Sequence, residues 1–370
     1  LGALSLQRNF SLAAIAGLGL MLGLFLIVSN VRKIRHEVRE AVAHIGQKLG
    51  PFELLYKIGD GGNGTVYRAN HALLKRPTAV KVMLPQFASS ESAKQRFIRE
   101  VQLTSRLTHP NTVAIYDFGQ TPEGTLYYAM EHLNGVSLED LVRISGPQPA
   151  ARVLHILHHV CGSLDEAHGQ GLIHRDVKPA NIMLCERGGL YDVVKVLDFG
   201  LVKEIQEDQQ QQPEEDNAVV GTPFYLAPEL ISDASVFSPL SDLYALGGVA
   251  YFLLTGHNVF EGASAMQICE MHLNDAPPPP SQRVTLSVPS DLEAIVMQCL
   301  AKEPARRPQS AGAMSEMLAR CEDFSAWTEQ QAQKWWVENR STLPVEEQHD
   351  SHSPLSNTQM LVDTNGRTGP

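Results

Sequence analysis

A chain of 370 residues, 43% of them hydrophobic, can bury a sizeable core without disulfide support. Forty-one acidic against thirty basic side chains, a formal charge of −11, exclude a chain built as a whole for nucleic acid and leave room for a local basic site. Cys161, Cys185, Cys269, Cys299 and Cys321 are odd in number and widely spaced, with no C-x-x-C pair, which excludes a disulfide framework or zinc site and predicts reduced, buried thiols.

The first element along the chain is apolar. No charged residue stands between Arg8 and Arg32, and Ser11 to Val28 is almost wholly hydrophobic. At ~1.5 Å per helical residue, about 20 residues cross a hydrocarbon core of roughly 30 Å. Residues 11–29 are therefore expected to form a single transmembrane helix. A signal peptide is the competing reading, but no small-x-small cleavage site follows Val28. Arg32, Lys33, Arg35 and Arg39 follow the run and Arg8 precedes it, which orients everything downstream into the cytoplasm from the inner membrane. Gly19 and Gly23 have the G-x-x-x-G spacing of close helix pairs, so a homodimer stands beside the plainer reading that glycine is common in membrane helices. Because the chain starts at Leu1, residues 1–10 are expected to be the end of an upstream region. Residues 30–50 read as a juxtamembrane connector, helical from Val31 to Gln47 and broken by Gly50-Pro51.

Phe52 to Ile58 then reads as a strand leading into Gly59-Asp-Gly61-Gly-Asn-Gly64-Thr-Val66. Glycines at this spacing let backbone amides close over a polyphosphate. In a dinucleotide fold the loop runs into a helix, whereas Val66 and Tyr67 continue as strand, which favours a phosphate-covering hairpin. Thr78 to Met83 is a short apolar strand containing Lys81, and such a lysine taken alone is a snorkelling edge residue. From Glu91 to Leu107 the residues Ala93, Phe97, Val101 and Leu107 roughly follow helical spacing. Glu100 on that helix is available to hold a buried Lys81, with a solvated glutamate as the plainer alternative.

Further along stand His174-Arg175-Asp176-Val-Lys178-Pro-Ala-Asn181, then Asp198-Phe199-Gly200 behind the strand-like Val193 to Leu197, then Gly221 to Glu229, Asp242 to Gly247 and Arg307. In this order, with the glycine loop, Lys81 and Glu100, the chain from about Phe52 to Cys321 resembles the eukaryotic-like (Hanks-type) serine/threonine protein kinases, closest to bacterial receptor-type members. The resemblance implies an α+β, bilobal protein-kinase fold over residues 51–321, with an N lobe of antiparallel β-sheet plus one helix and a mainly helical C lobe, preceded by the transmembrane helix. It implies ATP and Mg²⁺, protein substrates with serine or threonine acceptors, and no nucleic acid.

The same resemblance assigns roles. Asp176 would be the catalytic base and Lys178 would balance charge at the γ-phosphate. Lys81 would contact the phosphates and pair with Glu100, Asn181 and Asp198 would bind Mg²⁺, and Thr222 would hydrogen-bond to Asp176 and Lys178. ATP would lie against Ile58, Gly59, Gly61, Gly64, Val66, Ala79, Lys81, Met130, Glu131 and Leu133, with the Glu131 carbonyl and the Leu133 amide facing adenine. For Met130, core packing is an equal reading. The form Arg175-Asp-x-Lys-Pro-x-Asn181 favours serine and threonine over tyrosine, and Glu229 with Arg307 is expected to make a buried ion pair.

Between Gly200 and Thr222 there is no serine, threonine or tyrosine. Glu214, Glu215 and Asp216 either stand in for an activating phosphate opposite Arg175 or belong to a solvated acidic loop. Residues 322–370 read as a unit of their own: Phe324 to Val337, with Trp327, Trp335 and Trp336, is an amphipathic helix packing back on the kinase, and a polar tail follows Ser341. Two other classes compete with this reading. The presence of Lys81, Glu100, Asp176, Asn181 and Asp198 argues against a catalytically dead scaffold, and the Gly221 to Glu229 segment with Arg307 argues against a small-molecule phosphotransferase.

Overall fold

Alternating β-branched, aromatic and polar residues build the first layer. The computed structural model describes residues 46–343 apart from 62–63, 85–89, 200–222 and 286. The apolar run 11–29, most of the connector, Thr222, the acidic triplet and the tail from 344 lie outside the described residues. Among the described residues, β1 (Lys48–Leu49), β2 (Phe52–Gly61), β3 (Gly64–His71), β4 (Pro77–Met83), β5 (Ile115–Gln120) and β6 (Leu126–Glu131) form a six-stranded sheet in the order β1-β2-β3-β4-β6-β5. Every pairing in it is antiparallel.

The end of the connector corrects the sequence reading. Gly46 and Gln47, the described end of the expected helix, bond to Leu54 instead, Gly46 N–H donating to Leu54 O and Gln47 O accepting the Leu54 N–H, and Lys48 and Leu49 after them pair with Glu53 and Phe52 as a strand of the sheet. The reason is Leu49, which is buried with Phe52, Leu54 and Tyr67 on one face of the sheet. The other face carries Ala79, Met83, Tyr128 and Met130 and is covered by α1 (Glu91–Thr104) through Phe97 and Val101. Fully burying side chains of this size contributes about 1.5–3 kcal/mol each. Ser90 caps α1 by accepting the Ala93 N–H, and Glu91 in the first turn suits the helix dipole.

The C lobe contains α2 (Leu138–Ser145), α3 (Ala150–Gly169), α4 (Pro228–Ser232), α5 (Pro239–Thr255), α6 (Ala265–Asn274), α7 (Ser290–Cys299), α8 (Ala311–Leu318) and α9 (Glu329–Asn339). A three-stranded antiparallel sheet of β7 (Gly135–Ser137), β8 (Ile182–Arg187) and β9 (Leu190–Val196) lies where this lobe meets the first. Helix α5 is apolar nearly all round and buried along most of its length, as a helix at the centre of a lobe must be. A reciprocal Ser238 and Ser241 capping box starts it, and Gly256, with a left-handed φ of 74°, stops it. The expected pair is present: Arg307, 1% exposed, reaches both Glu229 carboxylate oxygens at 2.7 Å. All five cysteines are free and buried.

The folded body continues past residue 321, where the sequence suggested a boundary. Asp192 and Arg152 are both almost fully buried and face each other in a two-pronged pair, with Nε and Nη2 each 2.8 Å from a carboxylate oxygen. The indole N–H groups of Trp327 and Trp336 donate to the same carboxylate at 2.9 and 2.7 Å, and the Arg152 guanidinium lies 4.3 Å from the centre of the Trp335 ring. Four N–H donors meet the Asp192 carboxylate and the face of Trp335 meets the Arg152 cation, so the tryptophan helix is held on the lobe. Substituting Asp192→Asn, which keeps the shape and tolerates the residue's positive φ of 52°, leaves Arg152 without its counter-charge. The loss is expected to be roughly 3 kcal/mol of unfolding free energy by denaturant titration, with a red shift of tryptophan emission at low denaturant.

Candidate active site

Strand register builds the upper half of the site. Val66 pairs with Lys81 across β3 and β4, and Ala79 pairs with Met130 across β4 and β6. Val66, Ala79, Met130, Leu133 and Leu197 pack in one apolar cluster, a wall suited to a flat ring. Ile58 stands on β2 before the glycine loop and is 47% exposed. Gly59 pairs with Val66 and Gly61 with Gly64 in the hairpin. At Gly64 a β-carbon would lie 2.2 Å from Val82 O, so close approach to β4 by itself requires glycine there. At Gly59 a β-carbon would meet nothing within 4 Å, so packing imposes no such requirement.

The expected Lys81 to Glu100 ion pair is not the one formed. Lys81, only 4% exposed, reaches Asp198 Oδ2 at 2.7 Å, and Tyr128 O–H donates to Asp198 Oδ1 at 2.7 Å. Glu100 instead faces Arg175 Nη1 at 3.4 Å. The physical reason is competition for one buried cation: Asp198 also needs a counter-charge and lies within reach of Lys81. Burial pushes the Asp198 carboxyl up, but Lys81 and Tyr128 outweigh it and hold the group below the ordinary carboxylate range.

The lower half is a loop between α3 and β8. Asp176 Oδ2 is 2.7 Å from Lys178 Nζ and accepts Asn181 Nδ2–H at 2.8 Å, and the same amide donates to Asp176 O at 2.9 Å. Leu197 N–H donates to Asn181 O at 2.9 Å, which sets Asn181 beside Asp198. Asn181 Oδ1 takes no part in these bonds. Among the described residues no group of three or more His, Cys, Asp or Glu is arranged to hold a metal alone. Magnesium needs no such cage, because it keeps several waters and takes one or two protein oxygens together with phosphates. A pocket of about 390 Å³ is bordered by Asp176 and Lys178, and its lining includes Phe224, Tyr225, Leu226, Phe237 and Phe252 beside Glu139, Arg175 and Asp242.

Asp242, in the first turn of α5, frames the loop. Its carboxylate accepts the backbone N–H of His174 at 2.8 Å and of Arg175 at 2.9 Å, and contacts His168 Nε2 at 2.8 Å. Arg175 is thereby held at φ 65°, a region side chains rarely occupy. Asp176 N–H donates to His174 Nδ1 at 3.3 Å, so Nε2 carries the proton and donates to Leu197 O at 2.8 Å. Burial pushes the His174 imidazole down against the pull of Asp242 and Asp176, in keeping with this neutral form.

The sequence reading missed three parts of this arrangement. It gave Asp242 no more than a place in a motif, overlooked Tyr128, and gave Glu131 a backbone role alone. The Glu131 side chain is 4% exposed and is bonded to Lys195 Nζ at 2.6 Å, to Arg187 and to Ala114 N–H. A lysine inside the apolar strand Val193 to Leu197 was the available signal, since it calls for a buried carboxylate. Thr222 and the acids at 214–216 lie outside the described residues.

The protein kinase domain family matches residues 52–319. The chain is 40% identical over 264 residues to the serine/threonine-protein kinase pkn3 of Myxococcus xanthus, covering 70% of this chain and 48% of that one. It is 40% identical over 272 residues to the serine/threonine-protein kinase PknB of Mycobacterium tuberculosis, covering 73% of this chain and 42% of PknB. The chain thus spans less than half the length of these two relatives. Among solved structures, the Mycobacterium tuberculosis PknI kinase domain superposes with a TM-score of 0.57 at 27% identity, covering 74% of this chain and 97% of that one.

The loop's frame can be tested without reference to chemistry. In Asp242→Asn one carboxylate oxygen becomes an amide donor facing a donor, so at least one buried N–H loses its acceptor, at about 1–3 kcal/mol. Hydrogen exchange at the His174 and Arg175 amides should accelerate at least tenfold, while exchange in β6 stays unchanged.

Proposed function

The chain belongs to the protein kinase family, and from that premise we propose that it is a membrane-anchored serine/threonine protein kinase that transfers the γ-phosphate of ATP to hydroxyls of protein substrates. The observation that carries this reading is Asp176, held by Lys178 and Asn181 at the edge of a pocket, with Asn181 bonded in turn to Leu197 just before Asp198, the partner of Lys81. Phosphoryl transfer asks a protein to position a polyanion and its acceptor and to balance charge, with little covalent help. Val66, Ala79, Met130 and Leu133 present the apolar wall for adenine. Lys81 supplies a buried cation for the phosphates. Asp176 orients the acceptor hydroxyl and takes its proton, and Lys178 keeps positive charge beside that oxygen. Asn181 and Asp198 offer the hard oxygens that would hold Mg²⁺, which neutralises phosphate charge when bound. The pocket of aromatic and aliphatic side chains beside Asp176 suits a polypeptide acceptor with an apolar side chain near its hydroxyl. Among the described residues no helix is long and apolar enough to cross a membrane. The proposed anchor is the apolar run 11–29, with the kinase domain on the cytoplasmic side of the inner membrane.

Detergent-solubilised full chain, given Mg²⁺, γ-labelled ATP and a generic protein acceptor, should yield phosphoserine and phosphothreonine. Asp176→Asn should lower the rate by about 10²–10⁴. Label appearing in neither residue, or an unchanged rate in the variant, would sink the reading.

Anchoring is read separately. The full chain should remain in the membrane pellet after alkaline carbonate extraction, and deletion of residues 11–29 should release it. Release of the intact chain would refute the anchor alone.

A further inference from the structure

The turn Pro223–Tyr225 brings Phe224 and Tyr225 into the wall of the pocket beside Asp176, and it packs on both α5 and α6. Contact with α5 depends on Gly248, where a β-carbon would lie 3.0 Å from the Tyr225 ring and 4.0 Å from Phe224 O. Tyr225 O–H donates to Asn258 Oδ1 at 3.0 Å, which ties the end of the turn. Contact with α6 centres on His272, a residue without a role in the site described above.

His272 is completely buried, and Tyr244 on α5 is 1% exposed. Tyr244 Oη lies 2.8 Å from His272 Nδ1, and Phe260 meets the imidazole edge-on with ring centres 5.0 Å apart. Lys302 Nζ fixes the backbone beneath, donating to His272 O at 2.7 Å and to Met271 O at 3.1 Å. Burial, and after it the Lys302 charge, push the imidazole down to about 4, so near pH 7 it is neutral and carries a single N–H. The Phe224 backbone carbonyl lies beside the ring. Yet Nε2 is buried and closes no hydrogen bond among the described residues. A buried polar atom in that state is costly and calls for a reason.

A carbonyl can only accept, so a bond to Phe224 O needs the proton on Nε2 and leaves Nδ1 to accept the Tyr244 O–H. Tyr244 thereby selects the tautomer. It stands two residues after Asp242, so one helix fixes the loop that carries Asp176 and, through His272, the turn that faces the acceptor.

We propose that His272 is a positioning residue for the protein acceptor, an inference that rests on the kinase reading of this pocket. When an acceptor chain seats against Phe224 and Tyr225, the turn settles on α6 and His272 Nε2–H closes a hydrogen bond to Phe224 O, with Tyr244 holding the ring. Hydrogen bonds of a working site are often open in the empty protein and tighten in the complex. Because this one forms only with the acceptor bound, His272 acts on acceptor affinity and leaves ATP binding alone.

The test is steady-state kinetics of the detergent-solubilised full chain, with a generic protein acceptor and ATP varied in turn. His272→Met fills the space without an N–H and is expected to raise KM for the acceptor about tenfold, the worth of one good hydrogen bond, with KM for ATP unchanged. His272→Gln places an amide N–H near the position of Nε2 and should bring acceptor KM back to within about twofold of wild type. Tyr244→Phe removes one oxygen and releases the tautomer, which should raise acceptor KM about threefold, and it supplies the reading if His272→Met does not fold. An acceptor KM unmoved in His272→Met or in Tyr244→Phe, a KM for ATP rising in step with it, or equal effects of Met and Gln would overturn the proposal. A wild-type chain that labels neither serine nor threonine defeats the kinase reading and this inference with it. Labelling with an acceptor KM indifferent to these variants defeats the inference alone.

Discussion

A carboxylate taken out of water costs several kcal/mol unless cations and donors meet it, and Glu131 is such a group at the point where the chain leaves β6 for the C lobe. Its partners come from three separate places: Lys195 on β9, Arg187 on β8 and the Ala114 N–H just before β5. Satisfying one charge therefore sets the end of β6 against the lower sheet. The segment before β5 is tied in the same way, with Asn111 Nδ2 donating to Val194 O at 2.8 Å and Val113 N–H to Val196 O at 3.0 Å. Once that joint is set, Leu197 meets the apolar cluster of the N lobe and Asp198 comes within reach of Lys81. The site between the lobes is a consequence of how the hinge charge is neutralised.

The same rule recurs at two other buried carboxylates. Asp242 answers two loop amides and a histidine, and Asp192 answers a guanidinium and two indoles. Three non-glycine residues with positive φ lie in or beside these networks: Arg175 at 65°, Asp192 at 52° and Asp198 at 52°. Backbone strain of order 1–3 kcal/mol at each is sustained by bonds that leave no relaxed alternative. Stability and site geometry are therefore coupled, because the groups that hold the strained residues are also the groups that cannot be left unsatisfied.

Much of this was legible along the chain. The strands around the glycine loop, α1, the loop from His174 to Asn181 and the Glu229 to Arg307 pair all follow from periodicity or from motif order, and the tryptophan helix packs back on the lobe as its composition suggested. What escaped were choices of partner. Lys81 had two acids to choose from, Glu100 and Asp198, and sequence order says nothing about which lies nearer. Glu131 was read through its backbone because the fit to a family pattern concerns main-chain atoms there, while its side chain answers a lysine 64 residues away. The anchor of the tryptophan helix escaped for a similar reason: the carboxylate that holds Trp336 is 144 residues upstream.

Sequence alone determined which residue types are present in which order, and so the local elements and the inventory of acids, bases and cations available for phosphoryl transfer. Hydrophobic periodicity is a short-range property, expressed over about 4–8 residues in a strand and about 11–18 in a helix. Tertiary structure alone decided which charge neutralises which, where the connector becomes a strand, and how far the folded body extends toward the C terminus. Buried ion pairs are settled by desolvation and distance across the fold. Those quantities exist only after residues far apart in the chain have been brought together, as Lys81 is to Asp198 and Arg152 to Asp192.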